Sequence, residues 1–189
     1  MSSTSHTHTP GPGAAKRPSE RSNKLTASDV PEDFTLSLVL VDALPVLLFG
    51  AACVALVARM ASPLFLAGAC VCLASGAGKV VWKLMVVLAR RNTWLLYRQM
   101  HVLMPAGFAL MLIGIVVAVI TGTLTPASIG AALTSLPSGP LFLLWVCAMC
   151  AMGYLGSHLD SSDPKANWVE QLTNAAGQAA LLAAVLLLP

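Results

Sequence analysis

Charged residues are scarce in this chain: they make up 10% of its 189 residues, against 57% hydrophobic ones. A soluble domain carries about a quarter charged residues. So little charge cannot cover a water-facing globular surface, so the apolar excess must face lipid. The formal net charge of +3 is too small to point to nucleic acid, and no nucleic-acid partner is expected. Cysteine is missing from every polar segment. Cys53, Cys70, Cys72, Cys147 and Cys150 all lie in apolar runs, which excludes the disulfide framework of a small secreted domain. Soluble-enzyme motifs are missing too: there is no phosphate-binding glycine loop, zinc-protease helix or nucleophile elbow. Ser75–Gly76–Ala77–Gly78–Lys79 imitates a glycine loop but lies inside an apolar run with no strand before it. No internal repeat is evident, so an inverted-repeat transporter architecture gains no support.

What is there divides sharply after Phe34. Residues 1–33 are Ser, Thr, Pro, Gly and balanced charge. Such a stretch cannot bury enough surface to offset its ordering entropy, so it reads as a disordered cytoplasmic tail. His6 and His8 within it are solvated low-complexity residues. Beyond the tail, a bilayer core of about 30 Å calls for roughly 20 apolar residues per helix. Five segments qualify, at 36–58, 63–87, 101–121, 140–159 and 167–188. The first is too long for the apolar region of a signal peptide and is interrupted by Asp42 and Pro45, so it is taken as a retained helix. The expected fold is therefore an all-α membrane protein, a bundle of five transmembrane helices in residues 34–189.

The linkers fit that division. Met60–Ser62 is short enough to force an antiparallel hairpin. Trp94, Leu95, Leu96 and Tyr97 suggest a helical turn lying at the interface, where amphipathic rings prefer to sit. Thr125–Pro126 and Asp163–Pro164 each look like a helix cap followed by a first-position proline. Small residues recur at four-residue spacing, as Gly68, Cys72 and Gly76, as Gly114, Ala118 and Gly122, and as Thr173 and Gly177. This spacing suits close helix packing in lipid. Orientation follows from Lys and Arg. With the tail inside, Lys16, Arg17, Arg21, Lys24, Arg90, Arg91, Arg98 and Lys165 are cytoplasmic, and Arg59 alone lies on the other side. The expectation is a multi-pass plasma or inner membrane protein with its N-terminus in the cytoplasm and its C-terminus outside.

Ionisable residues inside the spans are the sharpest signal. Each costs roughly 2.5–3.5 kcal/mol at the bilayer centre and less toward its edge. At a rise of about 1.5 Å per residue, Asp42 lies about 9 Å from the edge, Lys83 about 6 Å and Lys79 about 12 Å. On the last span Glu170, Asn174 and Gln178 follow one strip, at about 5, 10 and 16 Å. All six fall in the cytoplasmic half, and two acids against two bases would be neutral. They are expected to converge into one intramembrane polar cluster. Cys147 and Cys150 form a CxxC within the fourth span. Such spacing serves thiol redox chemistry elsewhere, but a pair at mid-span with no loop cysteine to exchange with reads as apolar packing. His101 and His158 at the cytoplasmic edge are taken as interfacial residues.

The function these residues suggest is a small-solute or ion transporter, or a transporter-like subunit, built on the polar cluster. The alternative is a non-catalytic membrane accessory or assembly protein, and a membrane thiol redox protein is a distant third. No cofactor and no metal is expected, nor is enzymatic catalysis. The expected partners are the lipid bilayer and either further copies of the chain or a larger membrane complex, since five helices are few for an autonomous transporter. The orientation can be checked with reporter fusions. A reporter active only outside the cytoplasm will work when fused after Pro189 and stay silent when fused near Arg91; the reverse pattern would invert the topology.

Overall fold

The computed structural model describes residues 35–159 and 163–188; the expected N-terminal tail lies outside them. Six helices make up the described chain, with no strand among the described residues. They are α1 (Leu36–Met60), α2 (Pro63–Ala89), α3 (Trp94–Ile120), α4 (Pro126–Thr134), α5 (Ser138–His158) and α6 (Pro164–Leu186). Their starts follow local chemistry. The side chains of Thr35, Ser62, Thr125 and Asp163 each accept a hydrogen bond from a first-turn backbone N–H. Three of these caps precede a proline, whose missing N–H costs nothing at that position. Thr125 and Ser128 complete a reciprocal capping box that makes the nine-residue α4 possible.

α1, α2, α3 and α5 are long and apolar enough to cross a membrane. α6, at 23 residues, is as long as they need to be, but polar side chains crowd its first half. Four helices rather than five therefore meet both criteria. The structure also moves one boundary. α3 starts at Trp94, two turns ahead of the expected 101, so the interfacial turn foreseen at Trp94–Tyr97 is the beginning of α3 itself. Hydropathy marks where a helix enters lipid, whereas backbone hydrogen bonding decides where it begins. Here an aromatic stack holds the early turns. Tyr97 packs on Trp82 of α2 at 4.9 Å, on Trp94 at 5.3 Å and on His101 at 5.4 Å between ring centroids.

Contacts order the helices as α3–α2–α1–α6–α5, with α4 against α5. The two-residue turn Ala61–Ser62 makes α1 and α2 antiparallel, with Ala61 in the left-handed region at φ 47°. α3 reverses again, since Tyr97 meets Trp82 near one end and Gly114 meets Phe65 near the other. α6 runs parallel to α1, because Arg59 near the end of α1 donates to the Leu188 carbonyl just past α6 at 3.3 Å. Phe49, Cys53, Phe65, Met111, Leu181 and Val185 form the main core. A smaller one gathers Leu38, Trp82 and Val86. Large apolar side chains also cover the outside, with Leu47 69% and Val54 70% exposed, as lipid contact requires.

The tightest packing joins α2 to α3. A Cβ on Gly68 would come within 2.6 Å of the Gly107 carbonyl oxygen and the Met111 nitrogen, and one on Gly107 within 2.5 Å of the Cys72 sulfur. The small-residue pattern anticipated Gly68 and Cys72 but not Gly107. Two other members behave differently. Gly76 turns toward Val46 of α1, and Gly122 lies past the end of α3 at φ 75° with open space around it. Ala normally stabilises a helix relative to Gly by about 1 kcal/mol. At Gly68 and Gly107 the sign should invert: Gly68→Ala and Gly107→Ala should each cost about 1–3 kcal/mol through overpacking. Gly153→Ala, which meets nothing within 4 Å, should be neutral or stabilising. Thermal unfolding of the purified protein in detergent checks the contrast, and three equal shifts would refute it.

Candidate functional site

Three helices bring charge together at the end of the bundle where α1 and α6 begin and α2 finishes. Asp42 comes from the second turn of α1. Lys79 and Lys83 are one turn apart on α2 and share a face. Glu170 comes from the second turn of α6. Lys83 Nζ lies 3.2 Å from Asp42 Oδ1, a charge-assisted hydrogen bond, and Lys79 Nζ lies 3.8 Å from the same oxygen. Lys79 Nζ also lies 3.7 Å from Glu170 Oε1. The network is graded in depth. Asp42 and Lys83 are fully buried, at 3% and 1% exposure, whereas the Lys79 and Glu170 side chains are each 21% exposed. Two acids and two bases make it formally neutral, which is the condition under which charge survives in a low dielectric.

Neighbouring polar groups complete the surroundings. Asn167 Oδ1 accepts from Lys83 Nζ at 3.5 Å, while its own amide donates to the Asp163 carbonyl at 3.2 Å. Pro45, buried within α1, has no N–H to give the Val41 carbonyl one turn back. That carbonyl adjoins Asp42 in sequence. Asn174 and Gln178 continue along α6. Gln178 Nε2 donates to Asn174 Oδ1 at 3.3 Å and to the Met149 sulfur of α5 at 3.6 Å. This pair therefore reaches toward α5, while the four charged residues bridge α1, α2 and α6.

Three polar residues escaped the sequence reading. Ser75, Asn167 and Gln171 are buried, at 0%, 5% and 1% exposure. Their signal was present as spacing. Ser75, Lys79 and Lys83 repeat every four residues on α2, and Asn167, Gln171, Asn174 and Gln178 follow one face of α6. Several atoms in this region are sealed from water with no hydrogen-bond partner among the described residues: Asp42 Oδ2, Ser75 Oγ, Gln171 Nε2 and Gln178 Oε1. Unpaired buried polar atoms are uncommon in native proteins and call for a reason.

The other candidates lie elsewhere. Cys147 and Cys150 are free thiols exposed on α5. They do not pack in the core, in contrast to Cys53 and Cys72, because the inward side of α5 is the one that meets Gly177 through Ala148 and Met149. His158 stacks on Tyr154 at 4.0 Å and its Nδ1 lies 2.9 Å from the Tyr154 carbonyl oxygen. His101 sits edge-on to Tyr97. Each imidazole is thus partnered within its own helix. No family model, curated protein or solved structure matches the chain. What the cluster does must come from its chemistry. Both lysines lie on Asp42 Oδ1, so Oδ2 is the carboxylate oxygen open to a further donor or cation. A lone ion would add its own charge to the neutral cluster, so only a species carrying both signs, or an ion exchanged against a proton, leaves the balance intact.

The gradation in burial separates the two lysines. Lys83→Met removes the closer, fully buried partner of Asp42 and should cost roughly 3 kcal/mol, whereas Lys79→Met, from a side chain 21% exposed, leaves that closer contact intact and should cost less than about 1 kcal/mol. Combining Asp42→Asn with Lys83→Met should recover most of the loss, a coupling readable in a double-mutant cycle of thermal unfolding. Strictly additive losses would show that the two side chains do not depend on each other.

Proposed function

We propose that the protein spans its membrane five times and uses the Asp42–Lys83–Lys79–Glu170 cluster as a site for a small solute or ion, acting as a transporter or as a subunit of one. The observation that carries this reading is the incomplete pairing inside a charge-balanced cluster. A purely structural ion-pair network gains nothing from leaving Asp42 Oδ2, Ser75 Oγ and Gln171 Nε2 without partners. A half-satisfied polar network is worse than an apolar core. A ligand that uses those atoms gives them a purpose.

The pattern on α6 supports counting it as the fifth span. Its polar residues Asn167, Gln171 and Gln178 are buried, while Val169, Leu172 and Leu186 are 50–62% exposed. Polar inside and apolar outside is the arrangement that lipid demands of a helix carrying ionisable groups. Its length of 23 residues corresponds to roughly 34 Å, enough to cross. α1, α3 and α6 run one way and α2 and α5 the other, so five crossings would place the two ends of the chain on opposite sides. Arg90, Arg91, Arg98 and Lys165 adjoin the cluster end of these helices and Arg59 the opposite end, which supports a cytoplasmic position for the cluster.

A second reading has its own observation. α5 buries only Ser138 and Gly139 and leaves Leu143, Leu144 and Tyr154 exposed. That edge suits a membrane partner or a second copy, as an accessory protein would need. A thermal-shift screen over ions and small solutes separates the two. A ligand present at 100 times its dissociation constant stabilises by about 2.7 kcal/mol, which for a chain of this size raises Tm by roughly 5–10 °C. The transport reading expects one chemical class to do so, and expects Asp42→Asn with Lys83→Met to keep its Tm but lose the shift. A shift that persists in that variant would move the site elsewhere, and none for any compound would favour the accessory role.

A further inference from the structure

A second site lies at the opposite end of the bundle. There α3 and α5, which flank the helix row, leave between them a cavity of about 710 Å³, roofed by α4. Phe49, Phe108, Met111, Ile129, Phe142 and Trp145 give it an apolar wall, and Arg59 lines it as well. We propose that this cavity holds one acyl chain of an anionic phospholipid, with the lipid phosphate at Arg59. The proposal rests on the reading that these helices cross the bilayer, and is independent of any solute bound at the charged cluster.

Size and lining argue for an apolar chain. Ligand cavities run to about 300–1,000 Å³, and apolar walls of this kind offer ordered water too few partners. Length points to a membrane lipid. Arg59 is the penultimate residue of α1 and Phe49 lies ten residues deeper, a descent of about 15 Å. Half of a hydrocarbon core of about 30 Å has that same depth, so a chain starting at Arg59 and ending at Phe49 occupies one leaflet. Charge points to an anionic head. Arg59 is exposed, and no other Lys or Arg, and no Asp or Glu, adjoins this end among the described residues. Its Nη2 donates to the Leu188 carbonyl at 3.3 Å, which fixes the guanidinium beside the cavity and leaves further donors for phosphate oxygens.

Native mass spectrometry of the full chain, delipidated in mild detergent and supplied with matched acyl-chain lipids, tests this. One phosphatidylglycerol per chain should be retained about fivefold over phosphatidylcholine, the preference that one basic side chain at a membrane surface confers. Arg59→Gln should abolish the preference while leaving some binding of both lipids. Ala132→Phe fills the cavity and should abolish retention of both. Leu112→Trp, from a position 62% exposed, serves the same purpose should the first variant fail to fold. Equal retention of the two lipids by the unaltered chain would overturn the proposal. So would retention unaffected by filling the cavity, or displacement of phosphatidylglycerol by equimolar oleate, which would make a free fatty acid the occupant. Loss of the membrane-spanning reading itself would show separately, in reporter fusions.

Discussion

A carboxylate two turns into an apolar helix has to find a positive partner or lose its charge, and that requirement organises one whole end of this molecule. Asp42 is 3% exposed on α1, where lipid offers it nothing. Lys83 supplies the charge from α2 at 3.2 Å, and that contact fixes the register of two antiparallel helices that a two-residue turn merely holds side by side. Lys79, one turn away, reaches the same oxygen and Glu170 of α6. Glu170 thereby ties α6 to α2 by charge, while α6 packs against α1 and α5. The interaction is exacting because it is buried: loss of Lys83 would remove the closest charge compensating Asp42.

The helices outside that triad are joined by different means. α3 attaches to α2 through glycine-mediated contact of backbones, where shape rather than charge decides. In lipid there is little hydrophobic drive between helices, so close approach is the available source of affinity. α5 packs on α6 where Gly177 meets Ala148 and Met149, and the rest of its surface is left largely uncovered. A glycine-packed flank, a charged centre and a flank whose outer helix is mostly uncovered therefore follow one another across the row α3–α2–α1–α6–α5. The cavity between α3 and α5 is a consequence of this order, because the row curves without its two ends closing on each other.

Much of the charged end was legible in the sequence, because it depends on quantities that a sequence carries. Lys79 and Lys83 share a face by helical spacing. Depth from the span edge put Asp42, Lys83 and Glu170 at similar levels, and neutrality required their signs to match. Counting from the span edge put Lys79 deeper than Lys83, but it did not say which lysine the protein itself buries, and that one is Lys83. That depends on the rotation of α2 about its axis, which is set by the packing of Gly68 and Cys72 on α3. It also did not reveal Gln171. A glutamine beside a glutamate looks like more of a polar edge until the helix is rotated and one of the two is found at 1% exposure. The start of α3 was missed for a related reason: a helix can begin outside the lipid, held by stacked rings that hydropathy does not score. The cysteines of α5 were expected to pack because they are small and apolar, but smallness does not choose between a neighbouring helix and lipid.

α6 shows why apolar content is a poor measure of a helix's place in such a bundle. Its polar residues are unevenly placed, so Val169, Leu172 and Leu186 are exposed while Asn167, Gln171 and Gln178 turn inward. An average over its length mixes the two faces and finds it less apolar than its neighbours. What membrane insertion requires is that polar groups be hidden from hydrocarbon, and a partner helix hides them as well as their absence would. The helix least apolar in sequence is thus the one whose place depends most on the others. Asp42 and Lys83 neutralise each other within the triad, and on the proposed five-span reading α6 would need the same triad to cross a membrane. On the proposed reading, a species that exchanges with the internal ion pairs would also act on the contacts that hold α6 in place.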